Sequence, residues 1–182
     1  TPGTTYAYSN FGYLLLGLII EKVTGTDATA WIQSNVFQPL GVTSSEFQLG
    51  RSLLNNRNPR EPYYHDPGFG AYNVYYPDRH STWQDGGWNI ESMETHGGWV
   101  QSTRAYVRFL QNYWINGQPR VGGSANLVFS GALNGTFTVA RQLSNGVSYA
   151  AFFNQLTDSS GLAYDTIVNV LDMAVAGVST WP

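Results

Sequence analysis

The feature that most constrains this chain is a polar triplet set against an apolar run. Tyr8-Ser9-Asn10 leads straight into Phe11-Gly12-Tyr13-Leu14-Leu15-Leu16-Gly17-Leu18-Ile19-Ile20, and Glu21-Lys22 ends the run. Ser9 and Asn10 are both residues that cap a helix start, and Gly25 after Thr24 is a helix stop. The pattern predicts a helix from residue 9 or 10 to residue 24. Phe11, Leu14, Leu15, Leu18, Ile19 and Val23 give it one wide apolar face, which Tyr13, Leu16 and Ile20 extend round. A helix apolar nearly all round belongs in a core. A tyrosine hydroxyl and an asparagine amide at the mouth of such a rigid element sit where an active site needs them. The run is too short for the roughly 20 residues of a membrane span.

Composition excludes several classes. The 182 residues suffice for one domain with a core, 1–182, and 42% hydrophobic with 15% aromatic residues is a globular composition. Net charge is −3 and Lys22 is the only lysine, so there is no basic footprint for nucleic acid. Without cysteine there is neither a disulfide framework nor thiolate chemistry. Few lysines beside many Asn, Thr, Ser, Gly and Tyr lean towards a periplasmic or extracellular location. Thr1 in place of a methionine reads as an internal start. Asn134-Gly135-Thr136 fits a glycosylation acceptor pattern but reads as a turn.

A second helix is expected after Thr26 or Asp27, carrying Ala30, Trp31 and Val36, with Pro39-Leu40-Gly41 behind it. From residue 55 to about 95 the chain changes character. Pro59, Pro62, Pro67 and Pro77 alternate with Gly68, Gly70, Gly86 and Gly87, and between them lie Tyr63, Tyr64, Phe69, Tyr72, Tyr75, Tyr76, Trp83 and Trp88. No strand or helix period survives this punctuation, so the stretch reads as an ordered aromatic excursion. A third helix is expected after Ser102 or Thr103. Its buried stripe is Tyr106, Val107, Leu110, Tyr113 and Trp114, and Asn116-Gly117 ends it. Strands are expected at 126–129, 136–143 and 147–154. The last two flank Ser144-Asn145-Gly146, a hairpin signal because Asn-Gly accepts positive φ. A helix over 164–176 follows the i, i+3, i+4 rule. The fold class is α+β: a helical portion, then an antiparallel meander closed by a packed C-terminal helix.

Several chemistries fit poorly. His65, Asp66, Asp78, His80 and Asp85 match no familiar ligand spacing and read as solvated loop groups, so neither a metal nor a cofactor is expected. Glu91 and Glu94, three apart on one turn, are not the opposed carboxylates of a glycosidase and read as surface groups. No Gly-x-Ser-x-Gly elbow is present. His96, before Gly97-Gly98, is either a hydrogen-bonded histidine at a strand start or a site group.

The opening stretch carries a resemblance. The pattern runs Pro2-Gly3, Tyr6, Tyr8-Ser9-Asn10, Gly12-Tyr13, Leu15-Leu16-Gly17, Ile19-Ile20-Glu21 and Val23-Thr24-Gly25, then Pro39-Leu40-Gly41. It resembles the serine β-lactamase and penicillin-binding-protein superfamily. It is most similar to the class C β-lactamase-like branch with its D-alanyl-D-alanine carboxypeptidase, D-aminopeptidase and esterase relatives. The likeness continues at Gly97-Gly98-Trp99-Val100, Ser102-Thr103, Val107 and Phe109-Leu110. It resumes at Ser130-Gly131-Ala132-Leu133, Gly135-Thr136 and the hairpin ending Phe152-Phe153-Asn154.

That family transfers acyl groups to a serine through a Ser-x-x-Lys pair, a Tyr-x-Asn motif and a Lys- or His-x-Gly strand. The resemblance implies Tyr8 as general acid/base, Asn10 as the substrate or network amide and the Ala132 N–H as oxyanion donor. Phe129, Ser130 and Gly131 fall on the third motif, and His96 and Tyr72 are the further substrate-binding candidates. No Ser-x-x-Lys exists in the chain, since Ile19 stands three residues before the sole lysine. The family places that motif upstream, so the fold is expected to be an incomplete β-lactamase/transpeptidase-like one. Phe129 stands where the family has Lys or His, and a phenyl group donates no hydrogen bond.

The implied protein is a serine hydrolase of a small-molecule or peptide amide or ester, with its nucleophile outside this chain. The missing N-terminal segment or a second copy is the expected partner. The alternative is a non-catalytic glycan- or peptidoglycan-binding module stacking sugars on Tyr72, Tyr75, Tyr76, Trp83 and Trp88.

Overall fold

The first helix forms where its capping residues place it. The computed structural model describes residues 3–65, 70–158 and 160–180, and α1 spans Asn10–Thr24. The Ser9 Oγ accepts from the Gly12 N–H at 3.0 Å. Gly25 closes the helix at φ 68°, a left-handed conformation that glycine adopts without a Cβ clash. Pro2, Asp66, Pro67, Gly68 and Phe69 lie outside the described residues.

α1 is not the core helix that its apolar surface predicts. Only Gly17 is buried, whereas Phe11 is 66% and Val23 78% exposed. The described chain packs α1 on one side alone, against α2 (Ala28–Ile32) and the turn Glu94–His96. Asp27 caps α2 through the Ala30 N–H at 2.9 Å. α2 then loosens into a wide turn over Gln33–Phe37 and a tight one over Gln38–Leu40.

Four short strands follow: β1 (Phe47–Leu49), β2 (Ala71–Tyr72), β3 (His80–Ser81) and β4 (Trp99–Gln101), with the single-turn helix α3 (Ile90–Met93) before the last. β1 pairs with β4 and β2 with β3, both antiparallel. The main apolar cluster is Phe37, Val42, Phe47 and Ala105, with Ile32, Val36, Leu40, Trp99 and Phe109 around it. The rings of Phe37 and Phe47 stack at 4.1 Å, and Trp99 meets Phe47 edge-on at 5.3 Å.

Side chains within residues 55–95 anchor that stretch. Buried Asn73 accepts from the Tyr75 and Tyr76 N–H groups at 3.0 and 3.1 Å, and Asp85 accepts from the Leu54 N–H at 2.8 Å. Asn154, just past the third strand of the meander, donates its amide to the Tyr63 carbonyl at 2.7 Å. Its own carbonyl accepts from the His65 N–H at 2.7 Å.

α4 (Thr103–Asn112) is capped by Ser102 through the Ala105 N–H at 3.0 Å. It ends four residues before Asn116, because Tyr113 is extended. Fully buried Gln142 explains the stop. Its Nε2 donates to the Leu110 and Tyr113 carbonyls, and its Oε1 accepts from the Ile115 N–H, each at 2.8 Å. A side chain of the sheet thus satisfies groups that a further helical turn would have used.

The meander is β5 (Leu127–Leu133), β6 (Thr136–Gln142) and β7 (Ser148–Phe153), antiparallel in that order. β5 is longer than the 126–129 segment expected, because its pairing with β6 runs on through Ser130-Gly131-Ala132. The β6–β7 turn also differs from expectation: Gly146 takes φ 89°, while Asn145 is not at positive φ. Gly146 donates to the Leu143 carbonyl and Leu143 to the Val147 carbonyl, a three-residue loop with glycine at the left-handed position.

α5 (Ile167–Ala176) begins after a tight turn at Tyr164–Thr166, and Asp172 ties it to the sheet. That carboxylate meets Arg141 of β6 at 2.5 Å and accepts from the Tyr149 hydroxyl of β7 at 2.7 Å. The Arg141 hydrogen bonds hold it below the usual carboxylate range against the opposing effect of burial, and the Tyr149 hydroxyl adds to the lowering. No helix among the described residues is long and apolar enough to cross a membrane.

Candidate active site

The polar pair at the start of α1 is assembled. The Tyr8 hydroxyl donates to Asn10 Oδ1 at 2.7 Å, and Tyr8 is 65% exposed. Ser9 sets this geometry. As N-cap it is extended, which holds Tyr8 ahead of the helix and Asn10 as its first residue. The helix start carries partial positive charge from its unpaired N–H groups, which favours negative charge developing nearby. A phenol that both donates and accepts, beside an amide, can relay a proton and hold a carbonyl.

Phe129, Ser130, Gly131 and Ala132 lie side by side on β5, all exposed. They face Ala140, Val139, Thr138 and Phe137 of β6. Among the described residues β5 is an edge strand, and its other backbone side is open. Alternate N–H groups of an edge strand point away from its partner and can donate to a substrate carbonyl. Among the described residues no hydrogen bond or ring contact joins Tyr8 or Asn10 to β5.

His96 lies in the turn Glu94–His96, which is fixed against α1. The Thr95 Oγ1 donates to the Tyr13 carbonyl at 2.8 Å. Glu94 accepts from the Thr29 N–H at 2.9 Å and the Thr29 hydroxyl at 2.6 Å, and Trp99 Nε1 donates to that hydroxyl at 2.9 Å. The Nδ1 of His96 is buried and has no hydrogen-bond partner. The structure therefore brings the His96 turn to the Tyr8 helix. It keeps Tyr72 on the β2–β3 hairpin, its ring 4.4 Å from that of His80.

The carboxylates differ from expectation. Asp85 is bound to Leu54 and His80 to Tyr72, as above. The oxygens that gather within 4.8 Å of one another are instead those of Glu21, Asp27 and Glu94. All three accept N–H groups of the first turn of α2 and are held there as helix-start acceptors. Glu91 and Glu94 are not solvated surface groups. Glu91 accepts from the Ser52 N–H at 3.1 Å, from the Ser52 hydroxyl and from the Tyr75 hydroxyl at 2.9 Å. Burial pushes its carboxyl up, but these donors outweigh it and hold the group below the usual range.

A profile of the family described as Beta-lactamase matches residues 1–181. The chain belongs to the Beta-lactamase family. An Escherichia coli (strain K12) protein assigned as a D-alanyl-D-alanine carboxypeptidase is 35% identical over 60 residues, 33% of this chain and 13% of that protein. A Salmonella newport (strain SL254) protein of the same assignment is 33% identical over 46 residues, 25% of this chain and 11% of that one. Two solved structures share the fold. The D-amino acid amidase from Ochrobactrum anthropi SV3, complexed with D-phenylalanine, superposes with a TM-score of 0.64 at 18% identity, covering 97% of this chain and 60% of that chain. The octameric penicillin-binding protein homologue from Pyrococcus abyssi gives 0.63 at 18% identity, covering 97% and 44%. The chain thus spans less than two thirds of each relative and forms part of a β-lactamase/transpeptidase fold, α+β in class.

Within this Beta-lactamase family chain, sequence reasoning missed two features. One is the Ser52–Glu91–Tyr75 network, whose members lie far apart in the chain. The other is the seat of the His96 turn on Gly17. A glycine inside a helix costs about 1 kcal/mol relative to alanine, so Gly17 amid leucines was a readable sign of a close approach.

Proposed function

We propose that the protein is a serine hydrolase of the β-lactamase-like superfamily, acting on an amide or ester through an acyl-serine intermediate. Its nucleophile comes from residues outside these 182. The observation that carries this reading is the Tyr8–Asn10 hydrogen bond at the capped start of α1. The serine oxygen attacks the carbonyl carbon, an acyl–serine bond forms and the amide C–N or ester C–O bond breaks. The serine proton passes through the Tyr8 oxygen to the leaving group, and water then releases the acid. Asn10 orients Tyr8 and the substrate amide, and the Ala132 N–H donates to the developing oxyanion. Such a donor contributes about 3 kcal/mol to the transition state.

The exposed apolar flank of α1 is the surface against which the nucleophile-bearing segment packs. Phe129 leaves the third motif without a cation, which favours a neutral acyl group over one carrying a carboxylate. The scarcity of lysine supports work outside the cytoplasm. Labelling the intact protein with a fluorophosphonate or a fluorescent penicillin tests the reading. A serine-linked adduct, strongly slowed in Tyr8→Phe, is expected. Absence of any adduct, together with saturable glycan binding lost on Trp83→Ala, would instead support a binding module built on the aromatic stretch.

A further inference from the structure

We propose a second binding site, for a small ligand that carries a carboxylate or phosphate group, in the cavity between β1 and the loop that follows it. The cavity measures about 540 Å³, and its walls include Ser45, Gln48, Arg51, Asn56, Arg57 and Asn58. That volume falls within the roughly 300–1,000 Å³ usual for small-molecule sites. None of the residues assigned above to acyl transfer lines it, so the proposal does not depend on that chemistry.

Charge carries the inference. Residues 51–60 hold Arg51, Arg57 and Arg60, three of the nine basic residues of the chain, and no acid. Two of these arginines, Arg51 and Arg57, line the cavity, and no aspartate or glutamate does. Among the described residues the one ion pair is Arg141–Asp172, far along the chain, so neither Arg51 nor Arg57 is in a direct ion pair. The nearby acids keep their charge but bond to neutral donors and not to these two arginines. Glu46 accepts from the Thr43 N–H and hydroxyl, both at 3.2 Å. Glu61 accepts from the Tyr64 hydroxyl at 2.7 Å, and Glu91 and Asp85 are engaged as described.

Arg57 is also held in place before any ligand arrives. Its Nε donates to the Arg51 carbonyl at 3.3 Å. Its Nη2 donates to the Ser52 carbonyl at 3.4 Å and to the Gln84 carbonyl. Its guanidinium carbon lies 5.4 Å from the centre of the Tyr64 ring. These contacts use Nε and Nη2, and among the described residues Nη1 makes no hydrogen bond. Arg57 can thus give Nη1 to an anion, while the guanidinium fork of Arg51, which makes no hydrogen bond among the described residues, matches the paired oxygens of a carboxylate or phosphate. Two such groups in one concave wall focus positive potential that an anion offsets. Asparagine, glutamine and serine side chains around them can satisfy the ligand's remaining polar atoms.

Isothermal titration calorimetry of the intact protein at low ionic strength tests this, with inorganic phosphate in one arm and succinate in the other. The expected result is saturable one-to-one binding of at least one anion, weakened about tenfold or more in Arg51→Gln and by added salt. The anion that binds tells a phosphate ligand from a carboxylate one. The Arg51 side chain makes no hydrogen bond among the described residues, so the variant should keep the unliganded melting temperature; Asn56→Ala is a second probe of the wall. Failure of both anions to bind, or equal binding by wild type and Arg51→Gln, overturns the proposal.

Discussion

Thr95 stands on Gly17. A Cβ on that glycine would fall 2.5 Å from Thr95 Oγ1, the same oxygen that donates to the Tyr13 carbonyl at 2.8 Å. The contact seats the His96 turn on the helix that presents Tyr8. Gly17→Ala should therefore destabilise the protein by about 1–2 kcal/mol, although alanine is the better helix former. In a Thr95→Ala background most of that cost should vanish. Urea denaturation of the four proteins of this cycle measures it. A stabilised Gly17→Ala single variant would show that the helix and turn are not in contact.

Gln142 is the second structural test. Replacing it with leucine keeps the bulk but strands the Tyr113 carbonyl and the Ile115 N–H, while the Leu110 carbonyl keeps its second donor, Arg120 Nη1, at 3.0 Å. An unsatisfied buried polar group costs roughly 1–3 kcal/mol, so a loss of about 3 kcal/mol is expected. The chemical-denaturation midpoint checks it, and backbone amide exchange at Ile115 should quicken in the variant.

Glu91 predicts an acid limb of stability. Its folded carboxyl sits below the ordinary 4.5, so between the folded and ordinary values the unfolded chain binds more protons. Its stabilisation is present above pH of about 4.5 and is lost as pH falls through the folded value. Asp172 acts with the same sign. Glu91→Gln should thus flatten, without abolishing, the fall in urea midpoint between pH 6 and pH 3. An unchanged slope would mean that the Ser52 and Tyr75 hydroxyls do not stabilise the charged form.

Tyr8 and Ser9 are adjacent but should separate in experiment. Tyr8→Phe removes one exposed hydroxyl, so stability should stay within about 0.5 kcal/mol while acylation of the intact protein slows by roughly 10²–10⁴. Ser9→Ala removes the cap and should cost about 1 kcal/mol of stability with a smaller effect on acylation. Melting curves and adduct-formation rates, taken on the same samples, distinguish the two.

What could be read from the sequence follows the range of the interactions involved. Caps, stops and the i, i+3, i+4 spacing are local, and they located α1, the start of α4 and the course of α5. The end of α4 was not legible, because Gln142, some thirty residues on, decides it. The burial of α1 was misread for a related reason: an apolar pattern shows what a helix can bury, not what lies against it. For the site, Tyr8 and Asn10 are near neighbours in sequence and their pairing was within reach. The holding of Glu91 by Ser52 and Tyr75 depends on folding of the irregular stretch between them, which has no period to read.

Arg141 and Tyr149 are directly opposite partners on β6 and β7, and both bond to Asp172. A slip of one residue between those strands would turn one member of the pair to the far face of the sheet. Asp172 would then find a single partner where it now has two. The last helix thus makes its full set of bonds only on the correct register of the hairpin it covers.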